Sequence, residues 1–332
     1  MEYKCGALFA GIGGFCQGFG EGGLKTVWAV ENDSHAVATY AHNFPGVRLI
    51  EKDVCTVKVD EHRLEPVDVL HAGFPCQSFS QAGGRRGFED ERGMLFFEII
   101  RIIREFGDRK PAVIVLENSP FLKYGEGGAW FLRLQHEIQK AGYWFRPESA
   151  QELDASRVTA LPQQRVRLFM VALSMDHFLS GRFNFPTAEH TAPKRLADYI
   201  DFDGSVGSEY YLPQDNRYFK MISSAVNSRN CLYQLRKYEV RAKEEGVCPT
   251  LTANMGGGGH NVPFLMNGHG LRKLTEHECL RLQGFPSAFT FPDDVPRHRR
   301  YTQAGNAVAV PVARLLAAGV REKLASGGAS VR

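Results

Sequence analysis

Short apolar runs alternate with amphipathic stretches through the first half of the chain. Lys4–Phe9, Thr26–Glu31, Val47–Glu51, Val67–Ala72 and Ala112–Glu117 read as strands. Between them, Asp33–His42, Met94–Phe106 and Ala129–Ala141 place apolar residues at helical spacing. The alternation predicts an α/β fold, a largely parallel sheet with helices on both faces. A further strand is expected near Arg167–Leu173, after Leu161-Pro162.

From about Asn184 the pattern changes. Residues 184–270 are rich in Pro, Gly, Asn, Ser and Tyr, with one helix-like piece around Tyr233–Glu245. Gly256–Gly259 is a four-glycine run and reads as a loop. After Leu274 the helical period returns, and Val308–Leu324 reads as a long alanine-rich helix. The expected division is a first domain over 1–185, a smaller irregular domain over 186–275, and a return segment over 276–332 that packs on the first.

Composition narrows this only slightly. The 332 residues are 43% hydrophobic and 23% charged, as in ordinary globular chains. Forty basic and 37 acidic residues leave +3, which neither demands nor excludes a nucleic-acid partner. Seven scattered cysteines, with no C-x-x-C pair, argue against a disulfide scaffold or a zinc site, and no metal is expected. No apolar span reaches 18 residues, and the glycine-broken N-terminus is too short for a signal segment, so an intracellular protein without a membrane span is expected.

The candidate chemistry sits at predicted strand ends. The first strand runs into Ala10-Gly11-Ile12-Gly13-Gly14, where glycines let a backbone approach a nucleotide-like ligand. The spacing fits neither the dinucleotide fingerprint nor a P-loop. The second strand ends in Glu31, about 20 residues past the glycines, where such folds place an acid on ribose hydroxyls. Asp53 follows the third strand, suited to an adenine amino group. A glycine turn and two acids at successive strand ends fit an adenosyl ligand without phosphates; a structural turn and solvated carboxylates are the plain alternative.

The fourth strand leads into Gly73-Phe74-Pro75-Cys76-Gln77, placing a cysteine at the edge where parallel sheets bind ligands. The glycine-rich Gln81–Phe88 stretch carries Arg85 and Arg86 and reads as a lid suited to phosphate, or as a solvated basic loop. The fifth strand ends in Glu117-Asn118. Gln163-Gln164-Arg165-Val166-Arg167 sets two arginines on one face if extended.

Phe9-Ala10-Gly11-Ile12-Gly13-Gly14, Pro75-Cys76-Gln77, Glu117-Asn118 and Gln163-x-Arg165-x-Arg167 resemble, in order, the blocks of DNA cytosine-5 methyltransferases of the compact bacterial restriction-modification type. So do Arg272-Lys273-Leu274-Thr275…Glu278…Arg281-Leu282-Gln283-Gly284-Phe285-Pro286 and Gln303-Ala304-Gly305-Asn306-Ala307-Val308, and the match spans about residues 4 to 312. The chain departs from the family's pattern at Ser119-Pro120, where valine is common after Asn118. It also departs at Lys52, where glycine often precedes Asp53, and at Asn32, where a bulky adenine partner is frequent.

The resemblance implies a Rossmann-like methyltransferase sheet with a target-recognition domain over 186–275. It implies S-adenosylmethionine as methyl donor, leaving S-adenosylhomocysteine. Phe9 then lies against the adenine, Glu31 on the ribose and Asp53 on the exocyclic amine. Gly11, Gly13, Asn32, Val54, Pro75 and Asn306 complete the cofactor pocket. It implies that Cys76 adds to C6 of a flipped cytosine, that Glu117 holds N3, that Arg167 holds O2 and that Arg165 supports the site. Ser80, Arg85, Arg86, Thr250, His260 and Asn261 become DNA contacts. Arg297–Arg300 form the densest basic cluster, which fits a DNA backbone or a solvated face. The partner is double-stranded DNA, with a separately acting restriction endonuclease; a monomer in the bacterial cytoplasm, on the nucleoid, is expected. A transfer-RNA cytosine-5 methyltransferase and a catalytically inactive DNA-binding relative stay open as alternatives. A dinucleotide oxidoreductase leaves Pro75-Cys76-Gln77 unexplained.

Overall fold

The computed structural model describes residues 2–75, 91–188, 195–236, 239–257 and 261–327, without the side chains of 91–93. The chain divides into two compact units. The first comprises 1–154, 166–187 and 312–332, and the second 155–165 and 188–311.

The first unit contains, in chain order, β1 (Tyr3–Leu8), α1 (Gly14–Glu21), β2 (Leu24–Glu31), α2 (Ser34–Asn43), β3 (Arg48–Glu51), β4 (Val69–Gly73), α3 (Glu91–Glu105), β5 (Val113–Asn118), α4 (Phe121–Tyr124), α5 (Ala129–Lys140), β6 (Tyr143–Trp144), β7 (Ala150–Asp154) and β8 (Val166–Ser174). The strand order is β3-β2-β1-β4-β5-β8-β6, with β7 also on β8. Strands β1 to β5 are parallel; β8 runs antiparallel to β5, β6 and β7. The expected parallel sheet is therefore parallel over five strands and closes on an antiparallel edge. Strands β6 and β7 were not anticipated from the sequence, because two- and five-residue pieces with mixed polarity carry little periodic signal.

Alternation along each strand explains why both faces are covered. Leu70 and Ala72 of β4 join Ile114 and Leu116 of β5 in one buried layer with Phe96, Ile99 and Ile103 of α3 and Leu134 and Ile138 of α5. On the opposite face, Ala7 and Ala29 pack with Cys16 of α1 and Tyr40 of α2. His71, between Leu70 and Ala72, points to that second face, 4.8 Å from the Phe19 ring and 5.1 Å from that of Phe15. The last helix, α10 (Val310–Gly327), belongs to this unit from Val312 on, and Ala317 lies against Gly22 at the end of α1.

The second unit holds α6 (Ala155–Val158), α7 (Phe219–Ala225), β9 (Tyr233–Leu235), β10 (Val240–Ala242), β11 (Phe264–Asn267), β12 (Gly270–Lys273), α8 (Glu276–Leu282) and α9 (Arg297–Asn306). It is less irregular than its composition suggests, because β10-β9-β11-β12 form an antiparallel sheet. The expected helix over Tyr233–Glu245 is a hairpin instead. Tyr233 and Leu235 are buried and Gln234 between them is not, a period of two that the charged residues around it obscure. Residues 276–311 group with 188–275 rather than with the first unit, and 155–165 join them. Capping helps fix this segment: Thr275 accepts from Glu278 N, and Glu278 accepts from Thr275 N at 2.8 Å while pairing with buried Arg272.

Candidate active site

In the first unit the candidate residues lie along one edge of the sheet, at the carboxyl ends of β1 to β5. The chain runs outward from β1 to β2 and β3, then returns to β4 on the other side of β1. That reversal is a topological switch point, where open α/β sheets bind ligands. The glycine turn after β1 and Gly73-Phe74-Pro75 after β4 flank it.

The turn is built for close approach. Phe9 has φ 54°, Gly11 φ 55° and Gly13 φ 89°, all left-handed. A side chain on Gly11 meets no atom within 4 Å, whereas one on Gly13 strikes the Phe44 ring at 2.3 Å. Gly13 is thus required by packing, and Gly11 keeps an open face. Glu31 ties the turn to β2: its carboxylate accepts from Gly11 N at 2.8 Å and from Asn32 N and Asp33 N at 2.9 Å. A carboxylate offers about four acceptor positions, so capacity for a hydroxyl donor remains. Asn32 is exposed, Val54 is buried, and Asp53 is exposed with Oδ1 capping its own turn at Cys55 N, 2.9 Å away.

At the other side of the switch point, Gly73 is in register with Glu117 on the neighbouring strand. Buried Asn118 donates from Nδ2 to Phe74 O at 3.1 Å and accepts from Ser119 N at 2.8 Å. Glu117 is buried, with Arg167 Nε 3.2 Å from its Oε1. Arg167 reaches this edge because β8 starts there, with Leu168 opposite Asn118. Cys76, Ser80, Arg85, Arg86, the Gln81–Phe88 stretch and His260 lie outside the described residues.

Arg165, Thr250, Asn261 and Asn306 belong to the second unit. Arg165 is buried, and its guanidinium donates to Leu251 O at 2.6 Å, Gly305 O at 3.0 Å and Ala307 O at 2.9 Å. Beside it, Gln163 Nε2 donates to Leu282 O and Gln283 Oε1, and its Oε1 accepts from Leu251 N. Gln283 Nε2 donates to Ala304 O at 2.7 Å. Thr250 Oγ1 donates to Gln164 O at 2.6 Å. One buried polar hub therefore joins four sequence blocks, at 163–165, 250–251, 282–283 and 304–307. The two hub glutamines were quoted within motifs in the sequence but given no role; an amide amid apolar neighbours, as in Leu282-Gln283, is the one signal that marks them. Asn306 ends α9 and is exposed; Asn261 donates to Asn254 O at 3.2 Å.

Arg297 and Arg300 of the basic cluster are engaged within the protein. Arg297 is 2.7 Å from Glu209 and stacks over Tyr210, and Arg300 donates to Val295 O, Pro292 O and Asp293 O. That engagement counts against Arg297 and Arg300 as backbone-binding residues.

The fold sets an open glycine turn at the switch point of an α/β sheet, with a buried carboxylate–arginine pair beside it. Residues 3–322 match the C-5 cytosine-specific DNA methylase family, and the chain belongs to it. It is 39% identical to type II methyltransferase M.Bsp6I of Bacillus sp. (strain RFL6), over 96% of this chain and 98% of that one. It is 33% identical to type II methyltransferase M.NlaX of Neisseria lactamica, over 98% of both. Among solved structures, a methyltransferase of Entamoeba histolytica superposes with a TM-score of 0.74 at 16% identity, covering 98% of this chain and 99% of that one. A putative DNA modification methyltransferase from an E. coli prophage gives 0.71 at 21%, covering 98% and 100%. These two establish the fold. Among the described residues, no helix is long and apolar enough to cross a membrane, and no cluster of His, Cys, Asp and Glu is arranged to hold a metal.

Proposed function

We propose that this chain methylates C5 of cytosine at one word in double-stranded DNA, as a type II methyltransferase does. The reading rests on one observation above the others: Glu117 lies in register with Gly73 on the strand that leads to Pro75-Cys76, with Arg167 against its carboxylate.

The donor fits the first unit. Gly11 presents an open backbone face, and Glu31, fixed by three amides, retains acceptor capacity for ribose hydroxyls. Phe9, Gly13, Asn32, Asp53, Val54, Pro75 and Asn306 would complete the hold on S-adenosylmethionine. When bound, that group supplies an electrophilic methyl carbon. Cytosine C5 is too weak a nucleophile to take it unaided. Cys76 Sγ adds to C6 and pushes electron density to C5, which needs thiolate character at Cys76. Glu117, which must carry a proton for this step, holds N3 and the exocyclic amine, gives N3 that proton as Cys76 adds and takes it back as Cys76 leaves. Arg167 keeps O2 in place. Loss of the C5 proton then expels Cys76 and restores the ring. Arg165 acts at one remove, holding the backbone at Leu251, Gly305 and Ala307. The target must leave the stack, at a cost of a few kcal/mol, for these groups to reach C5 and C6.

In this reading Ser80, Arg85, Arg86, Thr250, His260 and Asn261 meet DNA. The protein works as a monomer in the cytoplasm, on nucleoid DNA, protecting it from a separately acting restriction endonuclease. Mapping methylated cytosines in the DNA and RNA of cells expressing the gene tests this. 5-Methylcytosine at one recurring DNA word is expected. Modified transfer RNA with unmodified DNA, or no product at all, would overturn it.

A further inference from the structure

A cleft of about 170 Å³ opens in the second unit between the β9–β10 hairpin and the stretch that follows Cys248. Gln234, Arg236 and Lys243 line one side, and Thr250, Thr252 and Asn261 the other. Among the described residues, no carboxylate lines it. The two cations differ from their neighbour on the same hairpin. Arg241 is 2.6 Å from Glu239, a neutralising pair. Arg236 and Lys243 contact only amide oxygens: Arg236 Nη2 donates to Gln234 Oε1 at 3.1 Å, and Lys243 Nζ to Gln164 Oε1 at 3.0 Å. Among the described residues, neither has an acid within ion-pair distance.

The consequence is a polar slot carrying two uncompensated positive charges, ringed by hydroxyl and amide groups. That chemistry suits a phosphodiester strand with base edges beside it. Gln234 adds something a lysine does not. Arg236 takes one of the two acceptor positions of the Gln234 oxygen, and the amide nitrogen carries two N–H donors. Those donors match the N7 and O6 acceptors of guanine in the major groove.

We infer that Arg236 and Lys243 clamp the DNA backbone in this cleft and that Gln234 reads an acceptor edge of one base pair of the word. This rests on the DNA-methylating reading above. The test uses the full chain, two labelled duplexes (one with the mapped word, one scrambled) and salt from roughly 50 to 200 mM. Arg236→Ala and Lys243→Ala should each weaken binding of both duplexes and lower the slope of log affinity against log salt by about 0.9. Arg241→Ala should leave that slope as in wild type. Gln234→Ala should bind the scrambled duplex like wild type but lose roughly five- to hundredfold at the word, with relaxed choice at one base pair in the methylation map. Gln234→Glu, isosteric but without donors, should lose at least as much. Circular dichroism and thermal melting confirm that each variant is folded. Unchanged slopes in both cation variants, or an unchanged methylation map for Gln234→Ala, overturn the inference. A wild-type protein that methylates no DNA overturns the parent reading instead.

Discussion

The candidate residues of the two units are held in opposite ways. In the first unit, Gly11, Glu31, Asp53, Pro75 and Glu117 sit where strands of one sheet stop, and each is positioned by its own strand. Their hydrogen bonds stay at the sheet edge: Glu31 to amides of the adjacent turn, Asp53 to Cys55, Asn118 to Phe74 just past the end of the next strand. In the second unit, position comes from side chains reaching far along the sequence. Arg165 binds carbonyls 86, 140 and 142 residues away. Function in the first unit is thus separable from stability, because the sheet persists if an edge carboxylate is lost. In the second, the side chains that bridge distant segments also hold the unit together.

Two variants sharpen that contrast. The largest effect belongs to Arg165→Ala, which leaves three buried carbonyls without their cation. It should cost roughly 3–5 kcal/mol in denaturant unfolding. Glu31→Ala, by contrast, should cost about 1 kcal/mol of stability while weakening S-adenosylmethionine binding tenfold or more by calorimetry. Equal destabilisation by the two would break the comparison.

A smaller, pH-dependent effect belongs to the sheet's interior. Burial alone pushes the His71 imidazole from 6.5 down to about 3. The folded protein holds this ring neutral, so the unfolded chain binds the proton more readily. Its contribution is complete above pH 6.5 and is lost as pH falls toward about 3. Over that window wild type should lose a few kcal/mol more than His71→Leu, seen as a steeper fall of Tm with acid. Parallel curves would contradict the buried neutral ring. The smallest effect is local to a helix end: Asp33 Oδ1 caps α2 at Ala36 N, 2.9 Å away. Asp33→Ala should cost about 1 kcal/mol in the same unfolding measurement, with cofactor affinity unchanged.

The same contrast decides what was legible in the sequence. Strands β1 to β5 fall within two residues of their expected bounds, because each is an apolar run closed by glycine or an acid. The acids at their ends inherit that legibility. The strand expected near Arg167–Leu173 is β8, whereas its antiparallel neighbours β6 and β7 were missed, and so was the β9–β10 hairpin, where Arg236, Lys237, Glu239 and Arg241 give a short period-two segment the look of a helix surface. The hub of Gln163, Arg165 and Gln283 has no periodic signature. Its partners are backbone carbonyls brought together only by folding, and no spacing along the chain encodes them. Arg297 and Arg300 failed in the reverse direction: their charge suggested an outside partner, and Glu209, Glu276 and nearby carbonyls supply one from within.

Methyl transfer by Cys76→Ser tests the central claim most directly. With a duplex carrying the mapped word and S-adenosylmethionine at saturation, wild type should form 5-methylcytosine. The variant should fall to background while binding both ligands as wild type does. Turnover near the wild-type rate in Cys76→Ser would contradict the account.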